Sequence, residues 1–187
     1  MVYLTGDTHG DLDRFRHGRL RWLGKRDIVV VLGDFGFVWD GSAEEQKKLD
    51  WLRKRPYTLL FLDGSHENYD LLAQYPETER FGGRVQSLGG NVYHVCRGSV
   101  LELEGKKYLC FGGAESPDRE EREPGVTGGS RRCPPMKNMR PASRTWKPAA
   151  IRWIMCSPTT RQADSWILRC WPAARPTSCT SSWTKFC

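Results

Sequence analysis

Three short apolar runs, Val2-Tyr3-Leu4-Thr5, Ile28-Val29-Val30-Val31-Leu32 and Thr58-Leu59-Leu60-Phe61-Leu62, constrain the fold of this chain most tightly. The second is short, continuous and apolar, as a strand buried on both faces should be, and the third reads as a strand beside it. Each run ends in glycine with polar neighbours: Gly6-Asp7-Thr8-His9-Gly10, Gly33-Asp34-Phe35-Gly36 and Asp63-Gly64-Ser65-His66-Glu67. Helical segments fill the gaps. Asp11 is placed to cap a helix running to about Leu23, although Gly18 weakens it. Ser42 with Glu45 forms a capping box opening a helix from Ala43 to about Lys54, which Pro56 stops. A third, short helix is expected from Asn68 to about Gln74. Strand and helix alternating with short turns give a parallel α/β core. Sites in such sheets form outside the carboxyl ends of the strands, where the three polar clusters fall.

Beyond Pro76 the rhythm changes to short runs separated by Gly82-Gly83, Gly89-Gly90 and Gly105. Val92 to Val95, Ser99 to Leu103 and Lys107 to Phe111 read as antiparallel strands with turns. A second change comes near Val126. Residues 1–125 hold 18 Lys and Arg against 21 Asp and Glu, whereas residues 126–187 hold 11 against Asp164 alone. The net charge of +7 therefore belongs to the carboxyl-terminal third, which also carries five of the seven cysteines. No apolar stretch of about 18 residues suggests a membrane span, and no cleavable leader is recognisable, so a cytoplasmic protein is expected.

Residues two apart in extended chain point the same way, so Asp7 and His9 can hold one cation as an oxygen and nitrogen pair. Carboxylate with imidazole suits divalent Mn, Fe or Zn better than calcium. If Asp34 lies between this pair and a second ion, its two oxygens can bridge cations about 3.5 to 4 Å apart and grip a phosphate. His66 is then placed to donate a proton to a leaving alkoxide. The plainer alternative is that these are turn and cap residues of a non-catalytic α/β domain.

Gly6-Asp7-Thr8-His9-Gly10, Gly33-Asp34 and Gly64-Ser65-His66-Glu67 resemble the first three motifs of the calcineurin-like metallophosphoesterases, D-x-H, G-D and G-N-H-E. Gly33 to Gly36 with Trp39-Asp40-Gly41, and Asp63 to Asp70, look like a bacterial branch lacking the usual D-R-G. The resemblance covers about residues 2–116. It implies an α/β fold, a four-layer αββα sandwich of which the chain carries the amino-terminal half, followed by an irregular tail. It further implies two divalent metal ions and hydrolysis of phosphate esters. By position it assigns Asp7 and His9 to the first ion, Asp34 to the bridge and His66 to the proton donor. Ser65 stands where the family has asparagine, and a neutral hydroxyl is the poorer ligand. The family's later histidine and its G-H-x-H are missing: the remaining histidines, His17 and His94, fall in a helix and a strand and read as surface or structural.

The metallophosphoesterase domain is thus assigned to residues 1–125 and is incomplete. Residues 126–187 lose hydrophobic periodicity and read as an out-of-frame or disordered tail. Reading one base earlier, the codons from Arg152 to Ala163 admit V-D-Y-V-L-T-H-D-A-P-G, a strand ending in a fourth-motif histidine. Such a chain should turn over little substrate and should lack its second sheet. An alternative is a non-catalytic fragment whose basic, Trp-rich tail contacts nucleic acid. Nucleic acid is nevertheless not the expected partner, because Arg and Trp there show no regular spacing. A cysteine-based zinc module is disfavoured by the absence of any C-x-x-C.

Overall fold

Alternation inside the apolar runs sets the layers. Val29, Val31, Leu59 and Phe61 pack to one side, and Val30, Leu32, Leu60 and Leu62 to the other, as the two-residue period of a strand requires. The computed structural model describes residues 1–64, 67–113 and 151–155. In chain order these form β1 (Val2–Thr5), α1 (Asp13–Arg16), a 3-10 segment (Gly18–Trp22), β2 (Ile28–Leu32) and α2 (Ala43–Arg53). There follow β3 (Thr58–Leu62), α3 (Tyr69–Leu72), β4 (Glu77–Arg80), β5 (Gly83–Gly89), β6 (Val92–Val95), β7 (Val100–Leu103), β8 (Lys106–Phe111) and β9 (Ile151–Met155).

One sheet has six strands in the order β1-β2-β3-β6-β5-β4, and the other has β7-β8-β9. Strands β1, β2, β3 and β6 run parallel, so Thr5, Leu32 and Leu62 deliver their following residues to the same sheet edge. On one face Leu49 and Leu52 of α2, with Phe15 of α1, cover Val29, Val31 and Phe61. On the other face Leu101, Leu103, Tyr108 and Cys110 of the second sheet cover Val30, Leu60 and Val95. A helical layer and two facing sheets thus form three layers of the αββα sandwich.

Several elements differ from expectation. The helix expected up to Leu23 is one turn of α-helix followed by a 3-10 segment. His17 is extended between them and Gly18 takes a left-handed φ of 64°. The third helix is shorter than expected at both ends, with Asn68 as its cap. Val92 to Val95 is not purely antiparallel: it pairs parallel to β3 and antiparallel to β5. The β4–β5 hairpin has no counterpart in the sequence reading, because Glu77-Thr78-Glu79-Arg80 is an edge strand with no apolar alternation to betray it. The second sheet is present. Its strand Ile151–Met155 pairs parallel with β8 inside the stretch read as aperiodic; Ile151, Trp153 and Ile154 are residue types enriched in strands, and the neighbouring β8 supplies the ladder partner. The rest of residues 126–187 lies outside the described residues. Among the described residues, no helix is long and apolar enough to cross a membrane.

Candidate metal centre

Two loops leaving neighbouring parallel strands are fastened to each other by backbone hydrogen bonds. Thr8 and His9 N–H both donate to Asp34 O, at 3.0 and 2.9 Å, and Gly10 N–H donates to Phe35 O at 3.0 Å. The Thr8 hydroxyl adds a fourth bond to Phe35 O at 2.7 Å. This approach is possible only because Gly10 and Gly36 face each other: a Cβ on Gly36 would lie 2.5 Å from Gly10 N and from His9 C. His9 and Asp34 themselves adopt left-handed backbone, with φ of 44° and 43°. Side-chain-bearing residues rarely accept such angles, and strain of this kind concentrates at working sites.

The result is a cluster. One ligand atom each from Asp7, His9 and Asp34 lies within 4.8 Å of the others, and His9 Nε2 is 3.8 Å from Asp34 Oδ2. Asp34 is buried, Asp7 half-buried and His9 exposed, so the cluster opens to solvent on the imidazole side. Burial, and after it the neighbouring Asp34 carboxylate, pushes the Asp7 carboxyl above its ordinary range. Two carboxylates held together beside an imidazole nitrogen are a donor set that a divalent cation relieves. The residues present therefore fit a divalent metal ion.

The third strand contributes from behind. Glu67 is buried, and its Oε1 accepts N–H bonds from Phe35 and from Gly64, both at 3.1 Å. One carboxylate thus ties the loop after β2 to the loop after β3. Burial, followed by the nearby Asp63 charge, raises the Glu67 carboxyl well above its ordinary range. Gly64 presses its backbone directly onto Asp34, where no side chain could fit. Asp63 is anchored from below: its Oδ1 meets His94 Nε2 at 2.5 Å, and its Oδ2 lies 3.4 Å from Arg97. Gln86 meets the other ring nitrogen at 2.6 Å, while its amide N–H donates to Leu72 O at 3.0 Å. Despite its burial, the Asp63 carboxyl is held below its ordinary range by the His94 and Arg97 charges.

Of the residues singled out by sequence, Asp7, His9 and Asp34 are brought together. Ser65 and His66 lie outside the described residues. His94 serves the scaffold beneath the site, as a structural histidine should, and His17 is exposed between α1 and the 3-10 segment. Sequence reading overlooked Glu67 as a strap, although it was visible as the last residue of its motif. It also gave Glu45 the wrong partner. Ser42 does cap α2, its Oγ accepting Glu45 N–H at 3.2 Å, but the Glu45 carboxylate turns away from Ser42. It takes backbone N–H bonds from Trp39 at 2.5 Å and Gly41 at 2.8 Å, and so rigidifies the loop between Asp34 and α2. A groove of about 370 Å³ runs from His9 along this loop to Lys48.

A family model described as calcineurin-like phosphoesterase matches residues 1–158, well past the 2–116 over which the motifs themselves are recognisable. No curated protein and no solved structure matches the chain.

Proposed function

Because the chain belongs to the calcineurin-like phosphoesterase family, a family of phosphoester hydrolases, we propose that Asp7, His9 and Asp34 hold a divalent cation, Mn, Fe or Zn, at a phosphate-ester site. The observation that carries this reading is the convergence of the three ligand atoms within 4.8 Å at the carboxyl ends of two parallel strands. An ion bound there would neutralise phosphate charge and acidify water, whose pKa falls to about 7 in zinc enzymes.

The chain's own residues would divide the remaining work. Asp34, buried between the loops, would present one oxygen towards Asp7 and His9 and the other towards a second ion. Ser65 would offer that ion only a hydroxyl. His66 would donate a proton to the departing alkoxide oxygen. Glu67, by holding the backbone of Phe35 and Gly64, would keep Asp34 and the His66 loop in register.

The second half of the site is impaired on this reading. His94 is engaged with Asp63 and Gln86, and His17 lies beside Asp13 rather than in the Asp7–His9–Asp34 cluster. We further propose that residues 126–187 are translated out of frame and that residues 1–125 are the metallophosphoesterase domain, in a cytoplasmic protein. The loss of hydrophobic periodicity after Val126 and the single acid, Asp164, among residues 126–187 support this reading. Sequencing the gene across codons 120–130 tests it: an early stop in the earlier frame, or no G-H-x-H downstream, would overturn it. Catalysis is tested by manganese-dependent hydrolysis of an aryl phosphate. The expected result is weak turnover that disappears in Asp34→Asn, and turnover unchanged in that variant would refute the assignment.

A further inference from the structure

Away from the metal cluster, α1 and the 3-10 segment after it form a surface whose charge departs from that of the domain around it. Residues 1–125 carry 18 Lys and Arg against 21 Asp and Glu, yet residues 13–26 hold six cations against Asp13 alone. Those six, Arg14, Arg16, Arg19, Arg21, Lys25 and Arg26, are all exposed. Among the described residues, Arg16 alone of the six forms an ion pair, with Asp13 at 3.4 Å. Aromatic rings organise the cations. Arg16 and Arg55 lie over Trp51, with Cζ 5.6 and 3.8 Å from the ring centroid, and Arg19 lies over Tyr3 at 5.7 Å. Trp51 and Tyr3 pack against the core, so these guanidinium groups rest on a fixed base. Trp22 differs. Arg21 lies over its ring at 5.0 Å, but the residue is 79% exposed. Its neighbours Leu20 and Leu23 turn into the core, which leaves the indole outward. Strands β2 and β3 begin just after Arg26 and Arg55 and run in parallel towards the metal cluster. Residues 21–26 therefore lie at the sheet edge opposite that cluster.

We propose that this surface binds a single-stranded nucleic acid, with phosphates on Arg19, Arg21, Lys25 and Arg26 and one unpaired base stacked on Trp22. Cations without carboxylate partners neutralise phosphates whatever the base sequence, and an exposed indole among them accepts the face of any base. A duplex keeps its bases stacked on one another and leaves Trp22 unused. An acidic peptide matches the cations but brings no base to the ring. A lipid surface is the poorer match: among the described residues Met1 and Trp22 are the large apolar residues left exposed, two isolated side chains where an interfacial helix buries a broad apolar face. The expectation against nucleic acid rests on the irregular spacing of Arg and Trp after Val126, and this surface lies outside that stretch.

The test is fluorescence anisotropy of labelled oligothymidylate with the full chain in the presence of a chelator, so that the outcome does not depend on the metal reading. Residues 126–187 are identical in parent and variants, and differences between them belong to this surface. Trp22→Ala should weaken binding about tenfold, the scale of one base stacked on one aromatic side chain, and Trp22→Phe should keep most of the affinity. Arg21→Gln, Lys25→Gln and Arg26→Gln combined should flatten the dependence of log K on log salt by about 2, at about 0.7 for each phosphate contact on a single strand. All four positions are exposed, so thermal unfolding should not change. Unchanged oligothymidylate affinity in Trp22→Ala, an unchanged salt slope in the triple variant, or equal competition by poly-glutamate of the same charge would overturn the proposal. Co-sedimentation with phosphatidylserine vesicles that falls in Trp22→Ala while oligothymidylate binding holds would overturn it in favour of lipid.

Discussion

Replacing Gly36 by alanine isolates the contact that brings the first two motif loops together. The residue sits at φ 72°, and its new Cβ would lie 2.5 Å from Gly10 N and His9 C, both backbone atoms with no flexible end to swing away. Ordinary contact needs about 0.9 Å more, so the loops must part and weaken the bonds His9 N–H to Asp34 O and Gly10 N–H to Phe35 O. A left-handed backbone costs an alanine roughly 1–2 kcal/mol, and two weakened hydrogen bonds cost about 0.5–1.5 kcal/mol each. Together these predict a loss of about 2–5 kcal/mol for Gly36→Ala. Gly18 is the control: its φ is 64°, but nothing lies within 4 Å of where its Cβ would be. Gly18→Ala should therefore lose only the backbone share, roughly 1–2 kcal/mol. Urea unfolding of both variants beside the parent measures the difference, and Mn²⁺ affinity should fall in Gly36→Ala alone. Equal destabilisation of the two variants, or unchanged Mn²⁺ affinity in Gly36→Ala, would refute the claim that this close approach builds the site.

Three further outcomes follow from the same structure. Glu67→Ala leaves the buried N–H groups of Phe35 and Gly64 without their acceptor, and at about 1–3 kcal/mol for each orphaned group it should destabilise the fold and weaken Mn²⁺ binding together. Metal binding that survives an otherwise clear loss of stability would show that Glu67 does not hold the loops for Asp34. The Tyr57 hydroxyl is buried and finds no hydrogen-bond partner among the described residues, so Tyr57→Phe should be neutral or stabilising by about 1 kcal/mol in thermal unfolding; a clear loss would reveal a partner. Burial also lifts the Tyr57 phenol to about 12 from 10.0. The unfolded chain ionises first, so the parent should lose stability as pH rises from 10 towards 12, and the loss should be smaller in Tyr57→Phe. An identical alkaline limb in both proteins would contradict the assignment.

What could be read from the sequence was whatever a local pattern encodes. Ile28 to Leu32 and Thr58 to Leu62 could be read as strands because they are short apolar runs bounded by turn residues, the form a doubly covered strand takes. Asp7, His9 and Asp34 could be named because strand ends in a parallel sheet share an edge. The features that escaped depend on partners distant in sequence. Glu67 could not be matched to Phe35, nor His94 to Asp63 and Gln86, without knowing that β6 lies beside β3. Glu45 followed the spacing of a capping box, but the backbone N–H groups of Trp39 and Gly41 offered its carboxylate a better-enclosed set of donors. The polar edge strand Glu77–Arg80 is held by its partner β5 rather than by a buried face, so its own residues carried no sign of it. Ile151–Met155 shows the converse: strand-forming residues found an open edge at β8 within a stretch whose composition argues against order.

Metal stoichiometry tests the central claim most directly. Full-length protein titrated with Mn²⁺ and followed by electron paramagnetic resonance should take up at most one ion per chain, weakly, and lose it in Asp7→Asn and in Asp34→Asn. Two tightly held ions per chain, or uptake that persists when both carboxylates are replaced, would contradict a half-complete centre built from Asp7, His9 and Asp34.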